Sequence, residues 1–298
     1  MPTDFHGVYS AMATPFGADG AIDEVELRAS VNRAIEAGVH GLAPCGSTGE
    51  FTALRLDERK RLVEVLIEEA AGRIPTIVHT GALTTEDAVE LSRHAAETGA
   101  AGVFAVAPFY EPLELADIRG YYEAIAEAVD VPVGIYNLPV ATGVDLDSDW
   151  VGTLAREDDR IAFIKDTTGS FDRVSRLVVD HGDAITVFNG DDTLLLPAFT
   201  AGAPACLLGT LNVLPAECAG VYDAYADGRY EDAEALYRRI LPVSLFLTEG
   251  HYYSAGVKAG LDLIGHSAGD PRLPILPLGD ERRANLRRLL DAVAAPPA

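Results

Sequence analysis

Short apolar segments of β-strand character alternate with amphipathic helical segments through most of the 298-residue chain. The eight strand-like segments span Gly7–Pro15, Gly41–Gly46, Thr76–Thr80, Gly102–Pro108, Val133–Leu138, Ile161–Asp166, Ile185–Gly190 and Ala205–Gly209. The helical segments between them include Asp23–Ala37, Asp57–Ala71, Thr85–Thr98, Glu114–Val129, Ser170–Asp180 and Leu214–Asp227. Strict βα alternation with eight strands fits a (β/α)8 barrel better than an open doubly wound sheet. The sequence therefore predicts an α/β protein with the (β/α)8, or TIM, barrel fold.

The alternation stops after residue 229. Three helical segments follow without a strand between them, and a Pro-rich stretch precedes the last one. These helices are predicted over Tyr230–Thr248, His251–Ile264 and Asp280–Ala294. We therefore divide the chain into a barrel domain, residues 1–229, and a C-terminal helical extension, residues 230–298.

The chain is strongly acidic. Its 46 acidic and 23 basic residues give a formal net charge of −23. A surface of this charge repels nucleic acid and anionic membranes, so neither is an expected partner. No stretch reaches the roughly 18 uninterrupted apolar residues of a membrane-spanning helix, and the first residues lack a basic region followed by an apolar run. We therefore expect a cytoplasmic protein.

Motifs for metals and organic cofactors are scarce. The cysteines, Cys45, Cys206 and Cys218, have no spacing typical of a disulfide framework or a zinc site. His79 is the one histidine at the end of a predicted strand, and it has no obvious metal-binding partner. The sequence also lacks the GxGxxG and GxxxxGK[ST] motifs of nucleotide sites. These absences weigh against metal catalysis and against a site of the common nucleotide-binding types.

Lys165 lies near the end of the predicted strand Ile161–Asp166. An isolated charge in a buried strand is costly, so this ammonium is paired, extended to water or kept neutral. One interpretation is a salt bridge, with Asp166 as a candidate partner. The other is a nucleophile, because an uncharged lysine amine attacks a carbonyl and forms a Schiff base. Lys165 alone does not decide between the two.

The reacting groups of (β/α)8 barrels lie at the carboxyl ends of the strands. One such end carries GSTGE at 46–50, which is either a plain turn or an anion-binding turn in which backbone N–H groups and two hydroxyls hold a carboxylate. Tyr136 is either a core aromatic residue or, because its strand precedes that of Lys165, a proton shuttle for a lysine-carbonyl adduct. Other candidates at strand ends include Thr14, His79, Tyr110, Asn137, Gly190, Asp192 and Thr210.

Five segments in order along the chain resemble one known family. They are GSTGE at 46–50, APFYEP at 107–112, IYNLPVATG at 135–143, FIKDTTG at 163–169 and NGDD at 189–192. This set is similar to that of the dihydrodipicolinate synthase/N-acetylneuraminate lyase family of pyruvate-dependent class I aldolases. The resemblance implies a (β/α)8 barrel with a C-terminal helical extension, usually a homotetramer, that needs no metal or organic cofactor.

The resemblance also implies catalytic roles. Lys165 matches the lysine that forms the Schiff base with the 2-oxo acid, and Tyr136 matches the tyrosine that moves protons. Ser47 and Thr48 match the hydroxyl pair of the carboxylate-binding turn, with Ser47 also expected to relay a proton. Tyr110 matches a tyrosine that, in synthase-type members, reaches into the relay of the neighbouring subunit.

The substrate subclass is predicted from a position at which this sequence departs from the family's pattern. Synthases of the family place an arginine two residues before the glycine that closes the IYNLPVATG segment, where it holds the carboxylate of aspartate semialdehyde; this chain has Ala141. With Thr167, this segment is more similar to the 2-keto-3-deoxy sugar acid aldolases. We expect reversible aldol cleavage of such an acid, or a similar 4-hydroxy-2-oxo acid, to pyruvate and an aldehyde. The expected substrate-binding residues are Ser47, Thr48, Thr167, Gly190, Asp192 and Thr210.

Three alternatives stay open. A keto-deoxy acid dehydratase would use the same Lys165 and Tyr136. A 4-hydroxy-tetrahydrodipicolinate synthase would condense pyruvate with aspartate semialdehyde. A catalytically silent protein would bind a keto acid without a covalent adduct, and borohydride reduction in the presence of pyruvate separates it from the enzymes.

Overall fold

The eight predicted strands are all present in the structure, a computed structural model that describes residues 2–250 and 252–295. Most of them end before the predicted residue, because the chain turns into a loop soon after its buried stretch. The strands are β1 (Gly7–Ala11), β2 (Gly41–Ala43), β3 (Ile77–His79), β4 (Gly102–Val106), β5 (Val133–Asn137), β6 (Ile161–Asp166), β7 (Thr186–Asn189) and β8 (Ala205–Leu208).

The strands form one eight-stranded sheet in the order β2-β1-β8-β7-β6-β5-β4-β3. The strand pairs whose register is defined are parallel. The consecutive strands from β3 to β8 are therefore neighbours in the sheet, as are β1 and β2, and β1 also lies next to β8. This is the strand order of a (β/α)8 barrel, so the predicted fold class is confirmed.

Helices connect the strands. They are α1 (Glu24–Glu36), α2 (Leu56–Ala70), α3 (Thr85–Thr98), α4 (Leu115–Ala128), α5 (Pro139–Thr142), α6 (Ser148–Glu157), α7 (Phe171–His181), α8 (Leu195–Thr200) and α9 (Pro215–Ala226). Several begin at a capping side chain: Asp23 accepts hydrogen bonds from the backbone N–H groups of α1, and Thr84 accepts one from α3. These caps satisfy N–H groups that have no partner inside the helix.

The three C-terminal helices are also confirmed. They are α10 (Tyr230–Thr248), α11 (Tyr253–Leu263) and α12 (Asp280–Ala294). The predicted start of the second of them, His251, lies outside the described residues. None of the helices in the described part of the chain is long and apolar enough to cross a membrane.

The chain divides into two compact units. The first comprises the residues up to Gly7 together with Pro75–Leu207, and the second comprises Val8–Ile74 together with the residues from Leu208 onward. The boundary expected after residue 229 stays a prediction.

Aromatic residues fill the core of the first unit below the candidate lysine. The Phe5 ring packs on Phe163 at a centroid distance of 5.5 Å, and Phe163 packs on Phe188 at 5.6 Å. A Cβ placed at Gly134 would lie 2.3 Å from the Phe163 ring, so only glycine lets this ring lie against β5. Phe163 and Lys165 are two residues apart on β6 and therefore project from the same face of the strand. The core thus fixes the direction in which Lys165 points.

Candidate active site

Lys165 and Tyr136 are paired across neighbouring strands. In the parallel pairing of β5 with β6, Tyr136 lies opposite Lys165. Both are buried, with 6% and 3% of their surface exposed. The Lys165 Nζ lies over the Tyr136 ring, 4.3 Å from its centroid. The structure therefore brings together the two residues that the sequence assigned to nucleophile and proton shuttle.

Asp166 does not pair with Lys165. Its carboxylate accepts a hydrogen bond from Asn137 Nδ2 at 2.9 Å, and others from the Thr168 backbone N–H and hydroxyl. Among the described residues, no carboxylate forms an ion pair with the Lys165 ammonium. Burial raises the pKa of the Asp166 carboxyl, and the hydrogen bonds from Thr168 and Asn137 act in the opposite direction. The salt-bridge interpretation is therefore not what the structure shows.

Asn137 is a strand-end candidate to which the sequence analysis assigned no role. Besides contacting Asp166, its side-chain oxygen accepts a hydrogen bond from Leu146 N at 3.1 Å, and its backbone oxygen accepts one from Thr167 N at 2.9 Å. These bonds tie together the ends of β5 and β6 directly after Tyr136 and Lys165. The available signal was position, because Asn137 and Asp166 each follow a candidate catalytic residue.

Gly190 and Thr167 lie against the lysine side chain. A Cβ placed at Gly190 would lie 2.1 Å from Thr167 Oγ1 and 2.8 Å from Lys165 Cε, so no side chain fits there. The Gly190 N–H donates to the Asp166 carbonyl at 2.7 Å. The Thr167 hydroxyl is buried and has no hydrogen-bond partner among the residues that the structure describes. An unsatisfied buried hydroxyl costs free energy, which a ligand in this position would recover.

Two other predicted site residues of the first unit, Asp192 and Tyr110, are not part of the contact between Lys165 and Tyr136. Asp192 is buried at the start of a short 3-10 helix, Asp192–Leu194, directly after the Gly190 turn. Tyr110 is 81% exposed and lines a surface groove with Leu83, Pro108, Leu113 and Tyr121. With so much of its surface exposed, Tyr110 is not packed on the pair of Lys165 and Tyr136 within its own chain.

His79 supports the tyrosine. Its ring packs edge-on against Tyr136 at a centroid distance of 5.9 Å. The backbone N–H of Val106 donates to His79 Nε2 at 3.2 Å, which makes that nitrogen an acceptor. Within residues 2–250 and 252–295, no three His, Cys, Asp or Glu side chains are arranged to hold a metal ion.

The segment after β5 forms an exposed turn. It contains the short helix α5, which Gly143 ends with a positive φ of 70°. Val140 is 84% exposed and Ala141 is exposed, whereas Thr142 is buried and its hydroxyl donates to the Leu138 carbonyl at 3.1 Å. Residues 138–144 contain no charged side chain.

The second unit contains the hydroxyl turn, which we define as residues 46–50. The Glu50 N–H donates to the Ser47 carbonyl at 3.0 Å, and the Thr14 hydroxyl donates to the Gly49 carbonyl at 2.7 Å. A Cβ placed at Gly49 would lie 3.0 Å from the Met12 carbonyl oxygen, so glycine allows the close approach of β1. Thr48 is buried and Ser47 is partly exposed. The turn is thus compact and presents two neighbouring hydroxyl residues.

Thr210 follows β8 in the second unit. It is buried at the start of a 3-10 helix, Thr210–Asn212, and its hydroxyl lies 3.5 Å from that of Ser244 on α10. The preceding Gly209 N–H donates to the Tyr253 hydroxyl at 3.0 Å. Thr210 is therefore held by contacts with the C-terminal helices.

Comparison with known proteins gives one consistent result. The model of the dihydrodipicolinate synthetase family matches residues 4–293. A 4-hydroxy-tetrahydrodipicolinate synthase from Pelobacter propionicus is 40% identical over 284 residues, which cover 95% of this chain and 96% of the relative. The corresponding synthase of Methanopyrus kandleri is 34% identical, with 97% of each chain covered.

Solved structures agree with the sequence relatives. The E. coli K12 prophage protein YagE, a member of the dihydrodipicolinic acid synthase family solved in complex with pyruvate, superposes with a TM-score of 0.94. It is 30% identical, with 98% of this chain and 99% of YagE covered. The dihydrodipicolinate synthase of Acinetobacter baumannii, also complexed with pyruvate, has a TM-score of 0.93 at 32% identity, with 97% and 99% covered. The chain therefore belongs to the dihydrodipicolinate synthetase family and is an enzyme of the lyase class.

Proposed function

We propose that this lyase works through a Schiff base between Lys165 and the ketone of a 2-oxo acid, with pyruvate as the common substrate or product. The observation that carries the proposal is the buried Lys165 amine, which contacts the Tyr136 ring and has no ion-pair partner among the described residues. A protonated imine draws electrons from the neighbouring carbon–carbon bond or carbon–hydrogen bond and gives an enamine. The enamine then accepts a proton or attacks an aldehyde.

The other site residues handle protons and the carboxylate. Tyr136 protonates the departing hydroxyl of the carbinolamine and exchanges the proton of the substrate hydroxyl at C4. Ser47 relays this proton, and Thr48 with the backbone N–H groups of the hydroxyl turn binds the substrate carboxylate. Thr167 supports the same assignment, because its buried hydroxyl, beside the lysine, lacks a partner within residues 2–250 and 252–295. This chemistry requires no metal or organic cofactor.

The first candidate reaction is that of 4-hydroxy-tetrahydrodipicolinate synthase, the condensation of pyruvate with aspartate semialdehyde. The relatives that carry this name are 34–40% identical over nearly the whole chain, and they favour this reaction over the sugar acid cleavage expected from the sequence.

The second candidate is aldol cleavage of a 2-keto-3-deoxy sugar acid to pyruvate and an aldehyde. One observation favours it: Ala141 occupies the exposed turn where an arginine would hold the carboxylate of aspartate semialdehyde. Alanine offers no substitute for a bidentate contact between arginine and carboxylate. A dehydratase would use the same Lys165 and Tyr136 on the same class of acid.

Trapping and turnover assays test these proposals together. Sodium borohydride with pyruvate should reduce the imine and fix a three-carbon adduct on Lys165, detected by peptide mass spectrometry. Lys60, Lys165 and Lys258 are the three lysines of the sequence, so the modified site is unambiguous. Reversible pyruvate binding without an adduct would refute the Schiff-base function and support a silent binding protein. Two turnover assays then decide between the candidate reactions. One measures the consumption of pyruvate with aspartate semialdehyde, and the other measures the release of pyruvate from a panel of 2-keto-3-deoxy acids.

We also propose a cytoplasmic homotetramer in which Tyr110 acts across a subunit interface. The exposure of this tyrosine beside an apolar groove supports a role outside its own chain. Light scattering of the protein in solution gives the subunit number, and a monomer with full activity would refute the proposed assembly.

A further inference from the structure

Glu50 and Lys258 form an ion pair in the interior of the second unit. The Lys258 Nζ lies 2.8 Å from Glu50 Oε1, and the two side chains are 2% and 0% exposed. Glu50 is the last residue of the hydroxyl turn, whereas Lys258 lies in the middle of α11. A helix from the far end of the sequence therefore contacts the turn that carries Ser47 and Thr48.

The remaining polar atoms of this pair are also occupied. Glu50 Oε2 accepts the Arg272 N–H at 2.8 Å. The Lys258 ammonium donates to the Asp270 carbonyl at 3.2 Å and lies 3.9 Å from the centroid of the Phe16 ring. Burial lowers the pKa of Lys258, and the Glu50 carboxylate acts in the opposite direction.

The backbone of the hydroxyl turn explains why such support is needed. Cys45, directly before the turn, and Glu50, its last residue, have positive φ angles of 60° and 55°, although neither is a glycine. Residues with a Cβ hold this conformation only where their surroundings impose it. The Ser254 hydroxyl, also on α11, donates to the Ser47 carbonyl at 3.1 Å. Helix α11 thus contacts the turn at its second residue and at its last.

We propose that Glu50 and Lys258 are positioning residues that set the backbone of the hydroxyl turn, so that Ser47 and Thr48 are correctly placed for the substrate carboxylate. This inference rests on the proposed function, because it uses the carboxylate-binding role assigned to the turn there. It assigns to α11 a part in pyruvate affinity, although α11 contributes no group to the chemistry.

General stability does not account for the pair equally well. Replacing both members of a buried ion pair by apolar residues of similar size is often neutral or stabilising, whereas removing one member leaves an uncompensated charge. A pair that served stability alone would therefore be dispensable as a unit. A pair that fixes a local conformation is not, because apolar side chains pack without a preferred direction, whereas the carboxylate lies 2.8 Å from the ammonium and accepts the Arg272 N–H.

The test compares the double variant Glu50→Leu/Lys258→Met with the isosteric single variant Glu50→Gln. Borohydride trapping of Lys165 over a range of pyruvate concentrations gives the half-saturating concentration and the rate at saturation. Thermal unfolding reports whether each variant is folded. A surface double variant, Glu234→Gln/Arg238→Gln, removes the exposed pair on α10 of the same unit and serves as the matched control.

We expect the folded double variant to raise the half-saturating pyruvate concentration about tenfold or more, equal to about 1.4 kcal/mol of binding free energy, with little change in the rate at saturation. Glu50→Gln keeps the shape and the contact with the Arg272 N–H, so it should give a smaller increase, and the control none. If the double variant does not fold, Glu50→Gln decides. If the folded double variant, or Glu50→Gln, has the same half-saturating pyruvate concentration as the wild type, this inference alone is overturned. If the wild-type protein traps no 2-oxo acid, the proposed function is overturned and this inference with it.

Discussion

The ammonium nitrogen of Lys165 contacts the face of the Tyr136 ring, 4.3 Å from the ring centroid. A cation over an aromatic face is stabilised by the negative charge density of the ring, and more so when both groups are shielded from water. The aromatic ring and the hydroxyl of Tyr136 can therefore be tested separately: the ring contacts Lys165, and the hydroxyl is the group that we propose to act on the substrate.

Replacing the nucleophile should abolish catalysis without unfolding the protein. Lys165→Ala removes the amine near the end of β6 and leaves the contact between the Phe163 and Phe188 rings in place. We expect turnover to fall by at least about a thousandfold and the borohydride adduct to disappear. Lys60→Ala, at a partly exposed position of α2, is the control and should keep both. Substantial residual turnover in Lys165→Ala would contradict a covalent mechanism.

Removing only the hydroxyl of Tyr136 should separate imine formation from turnover. Tyr136→Phe keeps the ring beside Lys165, so the amine stays in place. Loss of a general acid–base group should lower turnover by about 10²–10⁴-fold, while borohydride still traps some adduct. Wild-type activity in this variant would show that the phenol does not move the proton.

A single methyl group at Gly190 should disturb the site. A Cβ there would lie 2.1 Å from Thr167 Oγ1 and 2.8 Å from Lys165 Cε, so both side chains must shift. Gly190→Ala should reduce turnover by about tenfold or more, since small displacements of reacting groups have large kinetic effects. The matched control is Gly279→Ala directly before α12, where no heavy atom would lie within 4 Å of the Cβ. That variant should keep its activity. Equal activities of the two variants would argue against the close packing at Gly190.

The pair of Glu58 and Arg272 should make stability dependent on pH in the acid range. Hydrogen bonds from the Arg272 guanidinium lower the pKa of Glu58 from 4.5 to about 2. A carboxyl with a lower pKa in the folded state contributes stability above its unfolded pKa and loses that contribution as the pH falls towards the folded value. The contribution is at most about 3 kcal/mol.

Urea unfolding of wild type and Glu58→Gln measures this effect. The difference in free energy of unfolding between the two proteins should be largest above pH 4.5 and shrink as the pH falls towards 2. A difference that stays constant over this range would show that the ion pair does not shift the pKa of Glu58.

Introducing an arginine at position 141 should favour the synthase reaction. Ala141 lies on an exposed turn, so a long side chain can be accommodated without repacking the core. A charge-assisted hydrogen bond contributes about 1.5–3 kcal/mol, so Ala141→Arg should raise kcat/KM for aspartate semialdehyde by about tenfold or more. Val140→Arg, the neighbouring exposed position, is the control and should have a smaller effect. An equal response of the two variants would assign the gain to charge in general rather than to position 141.

The sequence predicted the strands well because their buried, β-branched runs are local features, and it predicted that Lys165 and Tyr136 are neighbours because consecutive barrel strands pair. The register that places Tyr136 directly opposite Lys165 was harder to predict from the sequence. A register shift beside Val133 and Gly134 places Gly134 opposite Phe163, and only this shift brings Tyr136 level with Lys165. Such a shift depends on how the Phe163 ring packs on Gly134, which is a tertiary contact.

Contacts between distant residues were beyond the sequence reasoning for the same reason. The pairing of Glu50 with Lys258 depends on where α11 packs, and no local pattern specifies that position. The hydrogen bond of Asn137 with Asp166 likewise follows from strand register. The candidate residues could therefore be selected from the sequence, but the contacts that hold them in place could not.

The exposed turn at Val140 and Ala141 has an evolutionary consequence. Neither side chain is buried, so replacements at these two positions leave folding energetics nearly untouched. Under the role proposed for position 141, a new aldehyde preference would arise by a single substitution that selection for foldedness does not oppose. Directed evolution of this protein toward other aldehydes would best begin by randomising codon 141.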